Sequence, residues 1–447
     1  MKKGMFFALA ASSLLFSACS SDDAVVSTEG QNEAVQQIVL QVASSGDGLT
    51  TRAGRPLYSS EALQTIQNVR VVIYNADTKE IVKDATQDWT KSITYNNHGH
   101  GRQFTLTFKG NDRLEKGNYK VMAVGYSNES DYEYSLNATS AVGLTYNDIT
   151  ATLKAGKKEA EEVFAGDADL KIGDDKKITN LTSGEENGVA VTLHRQVAGS
   201  FGYFQNIPAS VNGKAAATLR LVVRDKNDVL TFNNFNSSFT ANGATGSTIK
   251  YYVNGSKSTS AATADAKFNN NEDGYVLYSI NLSKWFTEGD KNKDGLLNAE
   301  DTWQHPSSVN TQVVKGSVFG SNFVIPFNYA KGKSTMELQL LDAENNIIKT
   351  WTVSIPKDDV NTDTANGVTD ASTSIFNVVR NHMYNLGVKT SNGTKPDPSN
   401  PDPKPTDPDP DKPKPGTDEP EDLSKSQNLI LKVNDNWEAI HKMELGD

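Results

Sequence analysis

Cysteine is almost absent from this chain: Cys19 is the only one in 447 residues. No internal disulfide can form, so a hydrophobic core has to hold the fold together. Histidine is scarce, with six residues: His98, His100, His194, His305, His382 and His441. His98-Gly99-His100 lies in a Gly/Asn-rich loop with no acidic neighbour and reads as a plain loop rather than a metal site. Nucleophile elbow, phosphate loop, dinucleotide fingerprint and zincin motif are all missing. Glu159 and Glu161-Glu162 read as solvated surface, and nothing nominates a glycosidase pair. A basic surface is missing too, and the net charge of −11 argues against a nucleic-acid partner. Helical periodicity is sparse; Ser59 to Ile66 and the flanks of residue 290 are the best short candidates. The sequence therefore points away from an enzyme.

What is present begins with an address. Lys2 and Lys3 precede an apolar stretch from Met5 to Phe16, too short for a stable membrane span. It ends at Phe16-Ser17-Ala18-Cys19, which resembles a lipobox with Cys19 as the lipidated residue. An ordinary signal peptide that happens to end near a Cys is the alternative, and it leaves the lack of any other Cys unexplained. Ser20-Ser21-Asp22-Asp23 resembles the acidic export signal that sends lipoproteins of Bacteroidales-type bacteria to the outer face of the outer membrane. Residues 19–34 read as a polar tether. No transmembrane helix follows the signal.

From about residue 56 to 390 the chain reads as strand after strand between Asn/Asp/Gly turns. Val69, Val71 and Ile73 alternate before a turn, as do Phe104, Leu106 and Phe108; later runs include Leu219–Val223, Met336–Leu340 and Trp351–Val353. The fold class expected is mainly β, as two antiparallel β-sandwich-like domains in tandem. We divide the chain into a signal (1–18), a propeptide (19–52), sandwiches at 53–198 and 199–393, a Pro/Asp-rich linker (394–422) and a tail (423–447). Between Lys395 and Pro420 stand ten of the 15 prolines. Such a stretch can neither pair in a sheet nor form a helix, and is expected to be a semi-rigid spacer of about 80 Å when extended.

Nearly the same strand is written at both ends of this region. Gln37-Ile38-Val39-Leu40-Gln41-Val42 and Asn428-Leu429-Ile430-Leu431-Lys432-Val433 share amide, aliphatic, aliphatic, Leu, long polar, Val. In each, three apolar residues at i, i+2 and i+4 fall on one face of an extended strand: Ile38, Leu40 and Val42, then Leu429, Leu431 and Val433. Two segments with one pattern could fill one groove, in turn or in different molecules. Chance is the competing explanation, since short aliphatic runs are common in β-proteins. A strand on a Pro-rich leash, followed by Trp437 and Ile440, has little reason to exist unless it docks somewhere. Between the copies, Thr50-Thr51-Arg52-Ala53-Gly54-Arg55 reads as an exposed loop open to proteolysis.

Asp290-Lys291-Asn292-Lys293-Asp294-Gly295-Leu296-Leu297-Asn298-Ala299-Glu300-Asp301 matches the calcium-loop template. Asp290, Asn292, Asp294, Leu296 (through its carbonyl), Asn298 and Asp301 would be the ligands. Asp in place of Glu at the last position shortens that arm and weakens binding. An acidic surface turn is the alternative. A bound calcium would brace the loop rather than catalyse.

The order of lipobox, acidic segment, first strand, Thr-Arg-Ala-Gly loop and two-part β region resembles the Bacteroidales fimbrillin family, the subunits of type V pili. Val191–Ala198 is similar to that family's strand near its domain junction, and Arg380–Val388 to its closing strand. Val433–Ile440 with Met443-Glu444-Leu445 resembles the tail of the minor-fimbrillin branch. The resemblance implies an outer-membrane lipoprotein, exposed at the cell surface and cut after Arg52 by a trypsin-like protease. The strand holding Ile38, Leu40 and Val42 would leave, and a neighbouring subunit's tail, with Leu429, Leu431, Val433, Trp437 and Ile440, would replace it. The subunits would then form an adhesive extracellular fimbria. Asp363-Thr364-Ala365 also matches a short O-glycosylation pattern of such bacteria. A different reading is a monomeric surface glycan-binding lipoprotein, using exposed aromatics such as Trp285 and Trp303.

Overall fold

A computed structural model of the chain describes residues 35–44, 67–88, 94–95, 102–136, 141–180, 188–233, 254–259, 263–309, 313–327, 336–354, 378, 380, 383–388, 418–425 and 428–434. It is almost all β. The described helical residues are two short 3₁₀ turns, Gly110–Asp112 and Leu282–Lys284. The helix expected from Ser59 to Ile66 lies outside the described residues.

The first half carries β1 (Val35–Ser44), β2 (Asn68–Asn75), β3 (Ile81–Asp88), β4 (Thr94–Tyr95) and β5 (Arg102–Lys109). There follow β6 (Gly117–Tyr126), β7 (Tyr132–Tyr134), β8 (Ile149–Leu153), β9 (Phe164–Ile172) and β10 (Gly188–Arg195). Eight of these form one path in the order β3-β2-β6-β9-β10-β1-β5-β4. β10 is its corner: Gly188 to Leu193 pair with β1, whereas His194 and Arg195 pair with β9. The bend lets Val71, Ile73 and Val121 from one side share a core with Leu106, Val191 and Leu193 from the other. Val72 and Met122 point instead into a second core. Strands buried on both faces need no polar face, hence the unbroken apolar runs Val71–Tyr74 and Val121–Val124.

The second half begins with β11 (Ala198–Gln205), two residues after β10 ends, then β12 (Ile207–Pro208). A small hairpin, β13 (Ser210–Val211) and β14 (Lys214–Ala215), turns on Asn212 and Gly213, both at positive φ, as two-residue hairpins favour. Next come β15 (Thr218–Val223), β16 (Val229–Phe232), β17 (Gly255–Ser256), β18 (Ala266–Phe268), β19 (Glu272–Asn281) and β20 (Leu296–Leu297). The remainder are β21 (Ser317–Val324), β22 (Met336–Leu341), β23 (Ile347–Ser354), β24 (Met383–Leu386), β25 (Glu421–Asp422), β26 (Asn428–Ile430) and β27 (Lys432–Asn434). One sheet runs β18-β19-β15-β22-β23-β26, the other β21-β11-β24-β27 with β25 beside β11. Leu221, Leu338 and Trp351 of the first share a core with Phe201, Tyr203 and Leu386 of the second.

The halves are also stitched by a sheet of their own. β8 pairs antiparallel with β16, from Thr152 opposite Val229 to Ile149 opposite Phe232. With β7 and β17 this makes four strands, two from each half.

Two expectations need correction. Glu162 is not solvated surface: it is 2% exposed and ion-paired with Arg195, equally buried, at 2.8 Å. Trp285 is not an exposed aromatic: it is 3% exposed and packed beside Trp303 and His305. Trp303 is half-buried and donates its indole N–H to the Ser317 carbonyl at 2.8 Å.

Candidate functional site

The first copy of the repeated strand, β1, is an interior strand. It runs antiparallel to β5 and parallel to β10, and residues 39–42 are paired on both sides. The register sets Ile38 opposite Leu106, Leu40 opposite Val189 and Val42 opposite Val191. Leu106, Val189 and Val191 are buried. β5 and β10 do not pair with each other, so β1 is what joins them.

The second copy is seated on the chain's own C-terminal sandwich. β26 pairs parallel with β23, setting Leu429 opposite Val353. The Leu431 N–H donates to the Ser354 carbonyl at 2.9 Å, and the strand then crosses over. β27 pairs antiparallel with β24, setting Val433 opposite Tyr384. Leu429 is 0% and Leu431 1% exposed, so these two residues of the predicted apolar face are buried.

The Pro-rich spacer leaves and returns at one place. Val388 and Glu419 exchange two backbone hydrogen bonds of 2.8 Å each. The two ends of the Pro-rich stretch, expected as a spacer, therefore stand side by side. Beyond it the returning chain is anchored. β25 pairs with β11, Leu423 is 0% exposed, and Tyr203 donates its hydroxyl to Asp418 at 3.2 Å. Asp422 accepts from Lys425 at 2.8 Å and from the Ser424 hydroxyl at 2.6 Å. Burial opposes its charge, but these partners and Asn206 win and hold its carboxyl down at about 2. Gly387, at φ +78°, makes room for this anchor: a Cβ there would stand 2.5 Å from the Tyr203 carbonyl and 3.1 Å from the Glu421 nitrogen. The sequence did not single out this anchor, although Leu423, the one apolar residue just after the Pro/Asp run, was its available signal.

Between the two seats β10 runs into β11 through Gln196 and Val197. Gln196 accepts from Arg380 at 3.2 Å and from Asn254 at 3.2 Å. Arg380 also donates to the Asn233 carbonyl, and all three of Gln196, Asn254 and Arg380 are buried.

The loop at 290–301 closes on its own hydrogen bonds. Asp290 accepts from the backbone of Asp294 at 3.2 Å and Gly295 at 2.9 Å. Asp301, 7% exposed, accepts from Lys291, Asn292 and Asn298 backbone N–H groups. The Leu296 N–H and the Asn292 and Asn298 amides hold the Asp294 carboxyl below its ordinary range. Leu296 lies in β20, paired with β12. Among the described residues no group of three or more His, Cys, Asp or Glu side chains is arranged to hold a metal.

Cys19, Arg52, Trp437, Ile440, His98, His100, His382, His441 and the 363–365 motif lie outside the described residues, as do the signal and the 45–66 loop.

No family model matches the chain, and no curated protein does. Solved structures are similar to it. One is a candidate adhesin from Bacteroides thetaiotaomicron, at 10% identity and TM-score 0.38, covering 90% of this chain and 97% of that one. Another is the tip fimbrial protein Mfa3 from Porphyromonas gingivalis with a C-terminal truncation, at 10% and 0.33, covering 80% and 95%. A third is the fimbrial anchor protein Mfa2 from the same organism, at 10% and 0.34, covering 79% and 90%. Among the structural neighbours are Bacteroidales fimbrial proteins and candidate adhesins. At these identities and scores the likeness carries no argument about function.

Proposed function

We propose that the chain is a structural subunit of an adhesive surface fimbria that polymerises by exchanging strands. The observation that supports it is the interior seat of β1 between two strands that do not otherwise meet, joined to the repetition of its pattern at 428–433. In this reading Cys19 is lipidated, the subunit reaches the outer face of the outer membrane, and a trypsin-like protease cuts after Arg52. That cut severs residues 35–44 from both sandwiches. Their departure leaves β5 and β10 with open edges and uncovers Leu106, Val189 and Val191. The tail of a neighbouring subunit, released from its own seat, fills the gap. Main-chain pairing supplies affinity and the alternate side chains fix register. Burying Leu429, Leu431 and Val433 contributes roughly 4.5–9 kcal/mol gross, at about 1.5–3 each, and offsets the burial that Leu429 and Leu431 give up on leaving their own seat. Donor and acceptor surfaces differ, so the contact propagates into a fibre.

Possession of both a cleavage loop and a tail fits a stalk or adaptor position. Pro56 blocks most trypsin-like proteases at Arg55, which favours Arg52. The test is Arg52→Ala expressed in cells: lipidated, unpolymerised monomer is expected on the surface, and SDS-resistant ladders like those of wild type would overturn the reading. In vitro, a peptide of residues 424–445 should bind the cleaved subunit and not the uncleaved one.

A separate proposal is that the 290–301 loop takes calcium or a similar hard cation. It rests on the ligand pattern, and calorimetry on the subunit with and without Asp290→Ala plus Asp294→Ala decides it. Equal heats would leave an acidic turn.

A further inference from the structure

The two copies of the repeated strand occupy seats of one kind. β1 lies between a parallel neighbour, β10, and an antiparallel one, β5. The tail lies between a parallel neighbour, β23, and an antiparallel one, β24. Each seat sets apolar residues of the copy against buried apolar residues: Leu40 opposite Val189, Leu429 opposite Val353. The seats differ in one respect. Residues 39–42 have both neighbours at once, whereas the tail takes β23 first and β24 after Leu431.

If the fibre reading holds, a subunit that donates its tail empties this second seat. The free edges of β23 and β24 would then face water together with the apolar surface that Leu429 and Leu431 cover, an arrangement folded proteins avoid. We propose that the seat of residues 428–434 is a second strand-accepting site, and that segment 37–42 of this chain, once cleaved, is its alternative occupant. This rests on the fibre reading for the vacancy, but not for the fit. Superposing the copies puts Leu40 where Leu431 sits and Val42 where Val433 sits, identical residues in both cases. Ile38 replaces Leu429, a volume-conserving change. Gln41, Val42 and Ala43 would then pair with Asn385, Tyr384 and Met383, following the register of the tail. Occupied this way, the cleaved lipidated fragment stays attached to a subunit whose tail has been given away.

The experiment uses the full, uncleaved chain carrying Leu429→Asp and Leu431→Asp, so that β1 keeps the first seat filled while the tail is evicted from the second. A fluorescein-labelled peptide of residues 35–44 is titrated by anisotropy, with a peptide of residues 424–445 as positive control. Expected is saturable binding of both peptides to the variant, at least about tenfold tighter than to wild type, and about tenfold loss for the 35–44 peptide carrying Leu40→Asp. Binding of the 424–445 peptide alone overturns the proposal and leaves the fibre reading untouched. Binding of neither shows that no seat persists without its strand and overturns it as well. Should the double variant lose cooperative melting, Leu431→Ser replaces it in the same titration. Failure of the fibre reading shows elsewhere, in the Arg52→Ala ladders.

Discussion

Glu162 and Arg195 meet at 2.8 Å with 2% of either side chain exposed, and the guanidinium also stands 5.0 Å above the Phe164 ring. A buried charge that loses its partner costs about 3–5 kcal/mol, whereas replacing both by apolar residues is often neutral. Glu162→Ala should therefore lower the urea midpoint strongly, and Glu162→Met with Arg195→Met should recover most of it. Asp422 gives a pH prediction. Its carboxyl is held down at about 2, below the roughly 3.9 of a free Asp. A depressed carboxyl stabilises fully above the unfolded value and loses that contribution as pH falls through the folded one. The anchor at 418–425 should loosen between about pH 4 and pH 2. Hydrogen exchange at Leu423 against pH reads this directly, and Asp422→Asn should flatten the profile.

At the level of single strands, the tail is held by its anchor as well as by its own apolar face. Gly387→Ala should strain a positive-φ position and push a Cβ toward Tyr203 and Glu421. Proteolysis near residues 424–434 should then rise several-fold with little change elsewhere. A silent Gly387→Ala would mean that the anchor shifts without strain. Much of this level was legible beforehand. Leu429 and Leu431 stood out by period two, and the runs near 69, 104, 219 and 336 are strands. What stayed illegible was what pairs with what. A period-two pattern says that a strand has an inner face; it cannot say that β1 lies between β5 and β10, or that the tail crosses from one sheet to the other. Proline content told of a segment unable to pair, yet not that Val388 and Glu419 close its ends together. Glu162 was misread because a charged residue among charged neighbours looks solvated until Arg195, 33 residues on, is brought beside it.

Across the molecule, the halves share both a sheet and a core: β8 pairs with β16, and Val72 and Met122 belong to the same buried cluster as Leu221 and Trp351. Calorimetry should accordingly record a single unfolding transition, and two well-separated ones would contradict this coupling. β10 and β11 carry a mechanical consequence. If the proposed fibre forms, a strand lodged beside β10 would pull on Gly188–Leu193. That tension would continue along the same backbone, across Gln196 and Val197, into the strand that flanks β24 and the tail anchor. In a stretched fibre the load would cross each subunit along one continuous backbone from β10 to β11, entering and leaving it through strand pairing. The non-covalent contacts between the halves would be spared, and the joints between subunits would yield first.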